Sequence, residues 1–392
     1  MDIFAKCFAG NPADQYRAMD LFPYFRELQS RQDVEVIMEG KRRIMLGSNN
    51  YLGLTVNPEI IEAGVKAMEE YGTGCSGSRL LNGTLVLHKR FEAELAEFLG
   101  KEDVATFPAG FQANLGAISS LVGPHDVAVC DRENHASIYD GCKLSYGKMV
   151  RFRHGDMADL ERRLKSVPEE LGAMVITDGV FSLGGDPAKL PELCALAEKY
   201  GARVMVDDAH GLGILGEGGR GTANHFGVEE KVDVITGTFS KSLASLGGFA
   251  AGSAQIVDYI RTTSRPYIFA ASIPPASIAV ATASLRDLKA HPELPKRLGA
   301  IAGYMRQKLK DNNVKIMDGI TPIIPIYTYE PIKTLKIQKE LYERGVYVNA
   351  TLPPACAPNE CLLRCSLMAT HTTELIDEAV DVIVDVLRKY EL

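Results

Sequence analysis

The segment Asp233-Val234-Ile235-Thr236-Gly237-Thr238-Phe239-Ser240-Lys241 combines a short β-branched stretch, a turn rich in glycine and hydroxyl groups, and one lysine. The backbone N–H groups of such a turn, together with the hydroxyls of Thr238 and Ser240, are suited to bind an anion. A lysine beside an anion site can act as a charged ligand, or it can lose its proton and condense with an aldehyde. A lone lysine at a loop tip is usually a solvated surface residue, so the interpretation of Lys241 depends on what the rest of the chain places near it.

Further residues that could do chemistry stand just past the C-terminal ends of other predicted strands: Gly110, Phe111, His135, Ser182, Asp207 and His210. Gly110 and Phe111 lie between a strand and a helix, where N–H groups and the helix dipole favour a phosphate. His135 could stack on a flat ring, and Asp207 could keep a ring nitrogen protonated. A phosphate site, a protonated pyridine and an aldehyde that condenses with Lys241 together predict pyridoxal 5′-phosphate (PLP).

Each of these residues has a simpler interpretation when it is taken alone. His135 and His210 could be ordinary surface or loop histidines, and Asp207 could cap a turn. Gly110 and Phe111 could likewise be turn residues only. Their occurrence at successive strand ends favours the cofactor site, because ligands of open α/β sheets bind outside the carboxyl ends of the strands.

The elements that must position these residues follow an alternating pattern. From about 82 to 241, short apolar strands alternate with amphipathic helices, which predicts an α/β fold with a mostly parallel, doubly wound sheet. After about 280 the elements become shorter, as in a smaller α+β domain. The predicted division is an N-terminal arm with a helix at about 13–32 and a hairpin (1–47), a large cofactor-binding domain (48–280) and a C-terminal small domain (281–392).

Composition narrows the class of protein. The chain of 392 residues has a net charge of −7 and a sequence pI of about 5.7, which argue against a nucleic-acid partner. We see no signal peptide and no apolar run of the roughly 20 residues that a membrane span needs. The eight cysteines form no CxxC pair, so we expect no metal site and reduced thiols in the cytoplasm. Segments 72–77 and 216–221 match GxGxxG, but neither follows a strand and opens a helix, so we expect no nicotinamide site.

The order of these motifs resembles the α-oxoamine synthase family of fold-type I PLP enzymes. The resemblance runs from Ser48-Asn49-Asn50-Tyr51-Leu52-Gly53 to Arg364 and includes Ser76-Gly77-Ser78-Arg79. The stretches GTFSKSLASLGG and PPACAP most resemble the bacterial serine palmitoyltransferases within that family. The resemblance implies an acyltransferase that acts as a homodimer, with active sites at the interface and no transmembrane segment, and it leaves peripheral membrane contact open.

The resemblance also implies a role for each site residue. Lys241 would condense with the cofactor aldehyde and move the α-proton, Asp207 would pair with the pyridinium nitrogen, and His135 would stack on the ring. The phenolic oxygen would be bound by His210 and Ser182, and the phosphate by Gly110, Phe111, Thr238 and Ser240. The substrate would be bound by Asn50 and Arg364 at its carboxylate, and by Asn50, Ser76 and His135 at a serine hydroxyl or a sulfonate. For Arg364 a surface salt bridge remains an alternative.

Two positions depart from the family pattern. Ala270 and Ala271 stand where members often have a hydroxyl that reaches the partner subunit's phosphate, so that contact is either lost or moved to Ser272. Leu352 stands where the bacterial palmitoyltransferases can have an arginine before the PPA turn. The first departure bears on how the partner subunit supports the cofactor, and the second on how the substrate carboxylate is bound.

The function expected from this resemblance is decarboxylative condensation of a small L-amino acid with a long-chain acyl thioester. Serine is favoured over cysteate, and glycine follows both. Leu352, Leu362 and Leu363 around the PPACAP segment suggest a mouth lined for an alkyl chain. The alternatives are acetyl transfer to glycine (2-amino-3-ketobutyrate synthesis), an aminotransferase on the same fold, and a non-catalytic partner subunit, against which the retained Lys241 argues. The sequence leaves open whether the thiol is CoA or acyl carrier protein.

Overall fold

The computed structural model describes residues 2–11 and 13–392, so Met1 and Pro12 of the predicted arm lie outside it. The strands are β1 (Glu35–Met38), β2 (Lys41–Met45), β3 (Asp103–Phe107), β4 (Asp126–Asp131), β5 (Lys148–Phe152), β6 (Gly172–Asp178), β7 (Arg203–Asp207), β8 (Val234–Thr238), β9 (Gly248–Gly252), β10 (Ile323–Tyr329), β11 (Val346–Tyr347), β12 (Asn349–Thr351) and β13 (Cys361–Ser366). The helices are α1 (Ala5–Phe8), α2 (Asp14–Ala18), α3 (Pro58–Tyr71), α4 (Val86–Leu99), α5 (Gly110–Leu121), α6 (Ala136–Leu144), α7 (Met157–Lys165), α8 (Leu190–Lys199), α9 (Thr222–His225), α10 (Ala254–Thr263), α11 (Arg265–Ile268), α12 (Pro275–Ala290), α13 (Leu294–Asp311), α14 (Pro331–Glu343) and α15 (Thr373–Lys389).

The centre of the molecule is a seven-stranded sheet in the order β3-β9-β8-β7-β6-β4-β5. Strands β8, β7, β6, β4 and β5 are mutually parallel, and β9 runs antiparallel to both of its neighbours. Alternate residues of β4 enter different apolar clusters, Val127 and Val129 on one face and Ala128 and Cys130 on the other. The prediction of a mostly parallel, doubly wound sheet is therefore confirmed.

Strand β9 is the element of this sheet that the sequence did not predict. Its sequence, Gly-Phe-Ala-Ala-Gly, lacks the β-branched residues typical of strands. The small residues are needed because the backbone of α5 approaches closely: a Cβ on Gly248 would lie 2.5 Å from the Cα of Gly110. The missing side chain thus lets the start of α5 lie directly against the sheet beside Lys241.

Two smaller three-stranded sheets lie outside the central one, in the orders β1-β2-β11 and β10-β13-β12. The hairpin predicted around Glu39-Gly40 is present as β1 and β2, and β2 also pairs in parallel with β11 from the C-terminal part. In β13, Arg364 stands opposite Pro325 of β10 and Asn349 of β12. The second small sheet therefore holds Arg364 from both sides.

The entry helix predicted over about 13–32 is wrong in length. Only Asp14–Ala18 is helical. Asp20 and Phe25 have positive φ angles of 56° and 60°, and Pro23 lies between them. A helix cannot continue through these positions, because proline lacks an N–H donor and the left-handed conformation breaks the helical path. Among the described residues, no helix is both long enough and apolar enough to cross a membrane.

Candidate active site

A cavity of about 270 Å³ opens at the C-terminal ends of the parallel strands. Eight of the predicted site residues line it: Gly110, Phe111, His135, Asp207, His210, Thr238, Ser240 and Lys241. The cavity is also lined by Asn114, Ser137, Asp178 and Leu246, to which the sequence assigned no role. Ser182, Asn50, Ser76 and Arg364 do not line it. The predicted cofactor residues other than Ser182 therefore lie together at the ends of the parallel strands.

Lys241 follows β8 and points into this cavity. Burial lowers the pKa of its amine to about 8, and the positive charge of Arg364 acts in the same direction, against the opposing effect of Asp207 and Asp178. A lysine with this pKa is partly unprotonated near neutral pH. Its Nζ atom can therefore act as a nucleophile or accept a proton, which a solvated lysine rarely does.

Asp207, at the end of β7, is held by a network that starts on helix α5. Asn114 donates from Nδ2 to Asp207 Oδ2 over 2.6 Å, and the backbone N–H of Ala209 donates to Oδ1 over 3.0 Å. The Oδ1 atom of Asn114 accepts a hydrogen bond of 2.7 Å from Thr236. Asp207 is thus a buried carboxylate whose two oxygens are both oriented by donors.

The same network extends to His135. Asn114 Nδ2 also lies 2.8 Å from Ser137 Oγ, and Ser137 Oγ lies 2.7 Å from His135 Nδ1. His135 is the N-cap of α6, a helix that the sequence did not predict, and it accepts a hydrogen bond from the backbone N–H of Ser137. Burial is the main cause that lowers the pKa of His135, so its ring is neutral near pH 7. A neutral, fixed ring at the cavity edge is suited to stack on a flat ligand.

Another part of the cavity lining is suited to an anion. The N-terminus of α5 begins at Gly110, and the hydroxyls of Thr238 and Ser240 lie 2.8 Å apart beside it. A Cβ on Gly110 would lie 2.7 Å from the Cβ of Thr238, so only glycine allows this approach. Helix N–H groups and hydroxyls form a site for a phosphate. With an amine, a carboxylate and a phosphate site around one cavity, the residues present fit PLP.

Arg364 lies beside this cavity and is buried, with 6% of its surface exposed. The predicted alternative of a surface salt bridge is therefore wrong. Its guanidinium donates to uncharged acceptors: the Ser182 carbonyl, Asn49 Oδ1 (3.1 Å), Ser366 Oγ (2.6 Å) and Tyr51 Oη (3.2 Å). Among residues 2–11 and 13–392, no carboxylate forms a salt bridge with it. A buried cation without a counterion favours an anionic ligand.

Tyr51 links Arg364 to His210. Its Oη atom lies 2.7 Å from Nδ1 of His210 as well as within hydrogen-bond distance of Arg364. Burial, together with the positive charges of Lys241 and Arg364, lowers the pKa of His210 well below its usual range, so the imidazole is neutral. Tyr51 belongs to the Ser48–Gly53 motif, from which no role for its hydroxyl was predicted. The feature of the sequence that could have indicated a role for Tyr51 is a large polar side chain inside a short Asn-rich loop.

Three predicted residues have contacts other than those expected from sequence. Asn50 donates from Nδ2 to Thr55 Oγ1 over 2.7 Å, and it is the neighbouring Asn49 that contacts Arg364. Ser76 is exposed in a left-handed conformation, with a φ of 51°. Ser182 contacts Arg364 through its backbone carbonyl.

The structure shows the surroundings of Ser272 and Leu352, the residues at the two positions where the sequence departs from the family pattern. Ser272 is buried, and its hydroxyl donates to the Gly77 carbonyl over 3.2 Å. Leu352 packs in a small apolar cluster with Leu21 and Leu335.

The expectation that leucines around the PPACAP segment line an open mouth is wrong. Leu352 is buried in the small cluster, and Leu363 is fully buried in the main core. Leu362 is buried as well. Strand β13 is covered on both faces, which proximity to Arg364 in sequence could not reveal. These side chains stabilise the C-terminal part instead of lining a groove for a substrate.

Comparisons of the sequence and of the structure with known proteins point to the same group of enzymes. The family model described as "Aminotransferase class I and II" matches residues 41–383. The chain is 46% identical over 382 residues to a serine palmitoyltransferase of Sphingobacterium spiritivorum, covering 97% of this chain and 96% of that protein. It is 41% identical to an 8-amino-7-oxononanoate synthase of Geotalea daltonii, covering 97% and 98%. A solved serine palmitoyltransferase with PLP superposes with a TM-score of 0.96 at 36% identity, covering 100% of both chains.

Proposed function

The chain belongs to the aminotransferase class I and II family and is a fold-type I, PLP-dependent acyltransferase of the α-oxoamine synthase type; from this premise we propose that it condenses L-serine with a long-chain acyl thioester. The reaction releases CO2 and the free thiol and gives a long-chain 3-keto amine, the first step of sphingolipid synthesis. With cysteate in place of serine, the same reaction would begin sulfonolipid synthesis. The similarity to serine palmitoyltransferases over nearly the whole chain is the observation that carries this proposal.

The residues around the cavity would divide the binding of PLP among them. Lys241 would hold the aldehyde carbon, Asp207 would face the ring nitrogen and His135 would lie against the ring. The phosphate would be bound by Gly110, Phe111, Thr238 and Ser240, and His210 would face the phenolic oxygen. Ser182, the second predicted partner of that oxygen, lies outside the cavity lining. PLP, when bound, supplies a protonated pyridine ring that accepts the electron pair released at the α-carbon of the amino acid. The neutral imidazole of His210 and the oriented carboxylate of Asp207 support the roles proposed for these two residues.

Lys241 and Arg364 would act on the amino acid itself. Arg364 binds the substrate carboxylate, because its planar guanidinium matches a carboxylate bidentately and is buried with no counterion among the described residues. Lys241 takes the α-proton on Nζ, since burial lowers the pKa of this amine to about 8 and leaves it partly neutral. Binding of the carboxylate also fixes the orientation of the α-carbon relative to Lys241. This positioning contributes to the rate of proton transfer.

Serine is preferred to cysteate on charge. A sulfonate adds a second negative charge, and among the described residues the cavity lining has no cation besides Lys241. A serine hydroxyl needs only a hydrogen-bond partner, for which Asn50, Ser76 and His135 remain the proposed residues. His135 lines the cavity, and Asn50 has a buried Oδ1 without a partner in the monomer.

The test is a matrix of kcat/KM values. Serine, cysteate and glycine are each assayed with palmitoyl-CoA, palmitoyl-acyl carrier protein and acetyl-CoA, with CO2 release measured in parallel. We expect serine with a palmitoyl thioester to give the highest value. If glycine with acetyl-CoA exceeds every long-chain pairing, acetyl transfer to glycine replaces the proposal. Turnover without CO2 would indicate an aminotransferase, and no turnover with any pair would indicate a non-catalytic partner subunit.

A homodimer of the cytoplasm is proposed as the working form, with the N-terminal arm at 1–47, the PLP-binding domain at 48–280 and the small domain at 281–392. The support is a set of exposed apolar side chains that a second copy could cover. Leu81 and Phe269 are 77% and 79% exposed, and Leu246, which lines the cavity, is 56% exposed. Large apolar side chains exposed to this degree are typical of an interface. Light scattering that finds a fully active monomer of 42.7 kDa would exclude this form.

A further inference from the structure

A cluster of charged side chains outside the cavity surrounds His154, which follows β5. Its Nδ1 lies 3.1 Å from Asp131 Oδ1, and its Nε2 lies 3.0 Å from Asp186 Oδ2. A third carboxylate, Glu133, lies 3.9 Å from Nε2. Burial alone would lower the pKa of His154, but the hydrogen bonds to Asp131 and Asp186 raise it to about 10. Both ring nitrogens therefore donate, and the ring is an imidazolium at neutral pH.

The imidazolium joins two parts of the fold. Asp131 ends β4 in the central sheet, whereas Asp186 belongs to the 179–188 loop that follows β6. This loop is closed by hydrogen bonds from Phe181 N to the Asp186 carbonyl (3.0 Å) and from Ala188 N to the Gly179 carbonyl (2.8 Å). The Phe181 ring also packs edge-on against His154, with centroids 4.4 Å apart. The His154 side chain thus ties the loop to the sheet, in addition to the backbone hydrogen bond from Gly179 N to the Asp207 carbonyl (2.7 Å).

The other side of the same loop reaches Arg364. Ser182, next to Phe181, accepts a hydrogen bond on its carbonyl from Arg364 Nε. Gly185, three residues later, accepts one on its carbonyl from Thr321 Oγ1 over 2.6 Å. The position of the loop therefore sets one of the hydrogen bonds that orient the Arg364 guanidinium.

We propose that His154 is a positioning residue for substrate binding: held between Asp131 and Asp186, it fixes the 179–188 loop so that the Ser182 carbonyl orients Arg364 toward the substrate carboxylate. This inference rests on the proposed role of Arg364. His154 does not line the cavity, and among the described residues its ring hydrogen-bonds to Asp131 and Asp186 and not to Arg364, so its effect passes through the backbone of the loop.

The test compares His154→Gln and Asp186→Asn with a matched control, His291→Gln. His291 is exposed, with Nδ1 3.4 Å from Asp287 Oδ1 at the end of α12, far in sequence from the site. Each variant is loaded with PLP, its visible spectrum is recorded, and KM and kcat for the amino acid are measured. The dissociation constant of the amino acid is also measured from its spectral change without acyl donor.

We expect His154→Gln and Asp186→Asn to raise both KM and the dissociation constant about tenfold, the effect of disturbing one charge-assisted hydrogen bond, with kcat nearly unchanged. The spectrum of bound PLP and all constants of His291→Gln should match the parent protein. A purely structural role would instead lower the active fraction, so that kcat falls while the dissociation constant stays constant, and this result would overturn the proposal.

Arg364→Ala separates failure of this inference from failure of the proposed function. If Arg364→Ala raises the dissociation constant and the His154 variant does not, the positioning role is wrong and the role of Arg364 stands. If Arg364→Ala has no effect on amino-acid binding, both fail. Should His154→Gln not fold, Asp186→Asn keeps the test intact, because it removes one ion-pair partner and leaves the imidazole in place.

Discussion

Asn114 donates a hydrogen bond of 2.6 Å to Asp207, and the amide that does so is fixed at its other end by Thr236. Because Thr236 donates its hydroxyl to Oδ1, the Nδ2 group of Asn114 must face the carboxylate. Asn114 therefore helps to fix the orientation of the Asp207 carboxylate.

Replacement of Asp207 by asparagine tests the electron-sink role. The amide cannot keep a pyridine nitrogen protonated, so the barrier for release of the α-proton should rise by several kcal/mol, with each ~1.4 kcal/mol lowering the rate about tenfold. Exchange of the serine α-proton with solvent deuterium, followed by NMR, measures this step directly. Cofactor content should remain normal, and an exchange rate close to that of the parent protein would refute the role.

Replacement of Asn114 by alanine should have a smaller effect of the same kind. Loss of a hydrogen bond to a charged group costs about 1.5–3 kcal/mol, so we expect α-proton exchange to slow by roughly one to two orders of magnitude. Ser120→Ala is the control, since Ser120 lies on the same helix and its hydroxyl bonds only to backbone carbonyls of that helix. Equal rates in the two variants would show that Asn114 does not act through Asp207.

The pH dependence of cofactor loading follows from Lys241. Burial lowers the pKa of this amine to about 8, so the nucleophilic neutral form increases as pH rises through that value and is scarce below it. Condensation of apoenzyme with PLP should therefore accelerate between about pH 7 and 9 and then level off. Stopped-flow absorbance measures the rate, and Lys241→Ala should show no such phase although the protein folds. A profile that keeps rising toward pH 10.5 would indicate an ordinary solvated lysine.

Tyr51→Phe removes a hydroxyl that lies between His210 and Arg364. The change leaves two buried polar groups without this partner, and each unsatisfied group costs about 1–3 kcal/mol. We expect a higher KM for the amino acid and a lower melting temperature, with the PLP content unchanged. Tyr200→Phe is a suitable control, since its hydroxyl bonds to the partly exposed Glu161 on the surface. An unchanged KM in Tyr51→Phe would separate Tyr51 from substrate binding.

The sequence predicted site residues whose place follows from strand order, and it did not predict residues whose role depends on contacts between distant elements. Residues after strands, such as His135, Asp207 and Lys241, were predictable because parallel strands end along one edge of a sheet. Asn114 and His154 were not assigned, because their roles come from partners on other elements. The leucines near Arg364 were misjudged for a related reason: sequence shows that they are apolar, but only packing shows what covers them.

Two elements of the fold were not predicted correctly from the sequence, the helix over 13–32 and strand β9. The helix predicted over 13–32 had suitable amphipathic spacing, but Pro23 and two left-handed residues interrupt it. Strand β9 had weak strand propensity and forms because its small residues fit between two strands and the start of α5. For β9 the deciding contacts lie far from the strand in sequence, whereas Pro23 lies inside the stretch that was predicted as a helix.

The pairing of β2 with β11 has a consequence for synthesis on the ribosome. Ile44 pairs with Val346, about 300 residues later, whereas the central sheet is formed entirely within residues 103–252. Chain segments fold as they emerge, and contacts between distant segments close last. The part of the molecule that carries Lys241 can thus form while the chain is still attached, but Tyr51 and Arg364 meet only near the end of translation. A nascent chain arrested at residue 300 should already protect the central sheet from proteolysis and still leave the N-terminal hairpin open to cleavage.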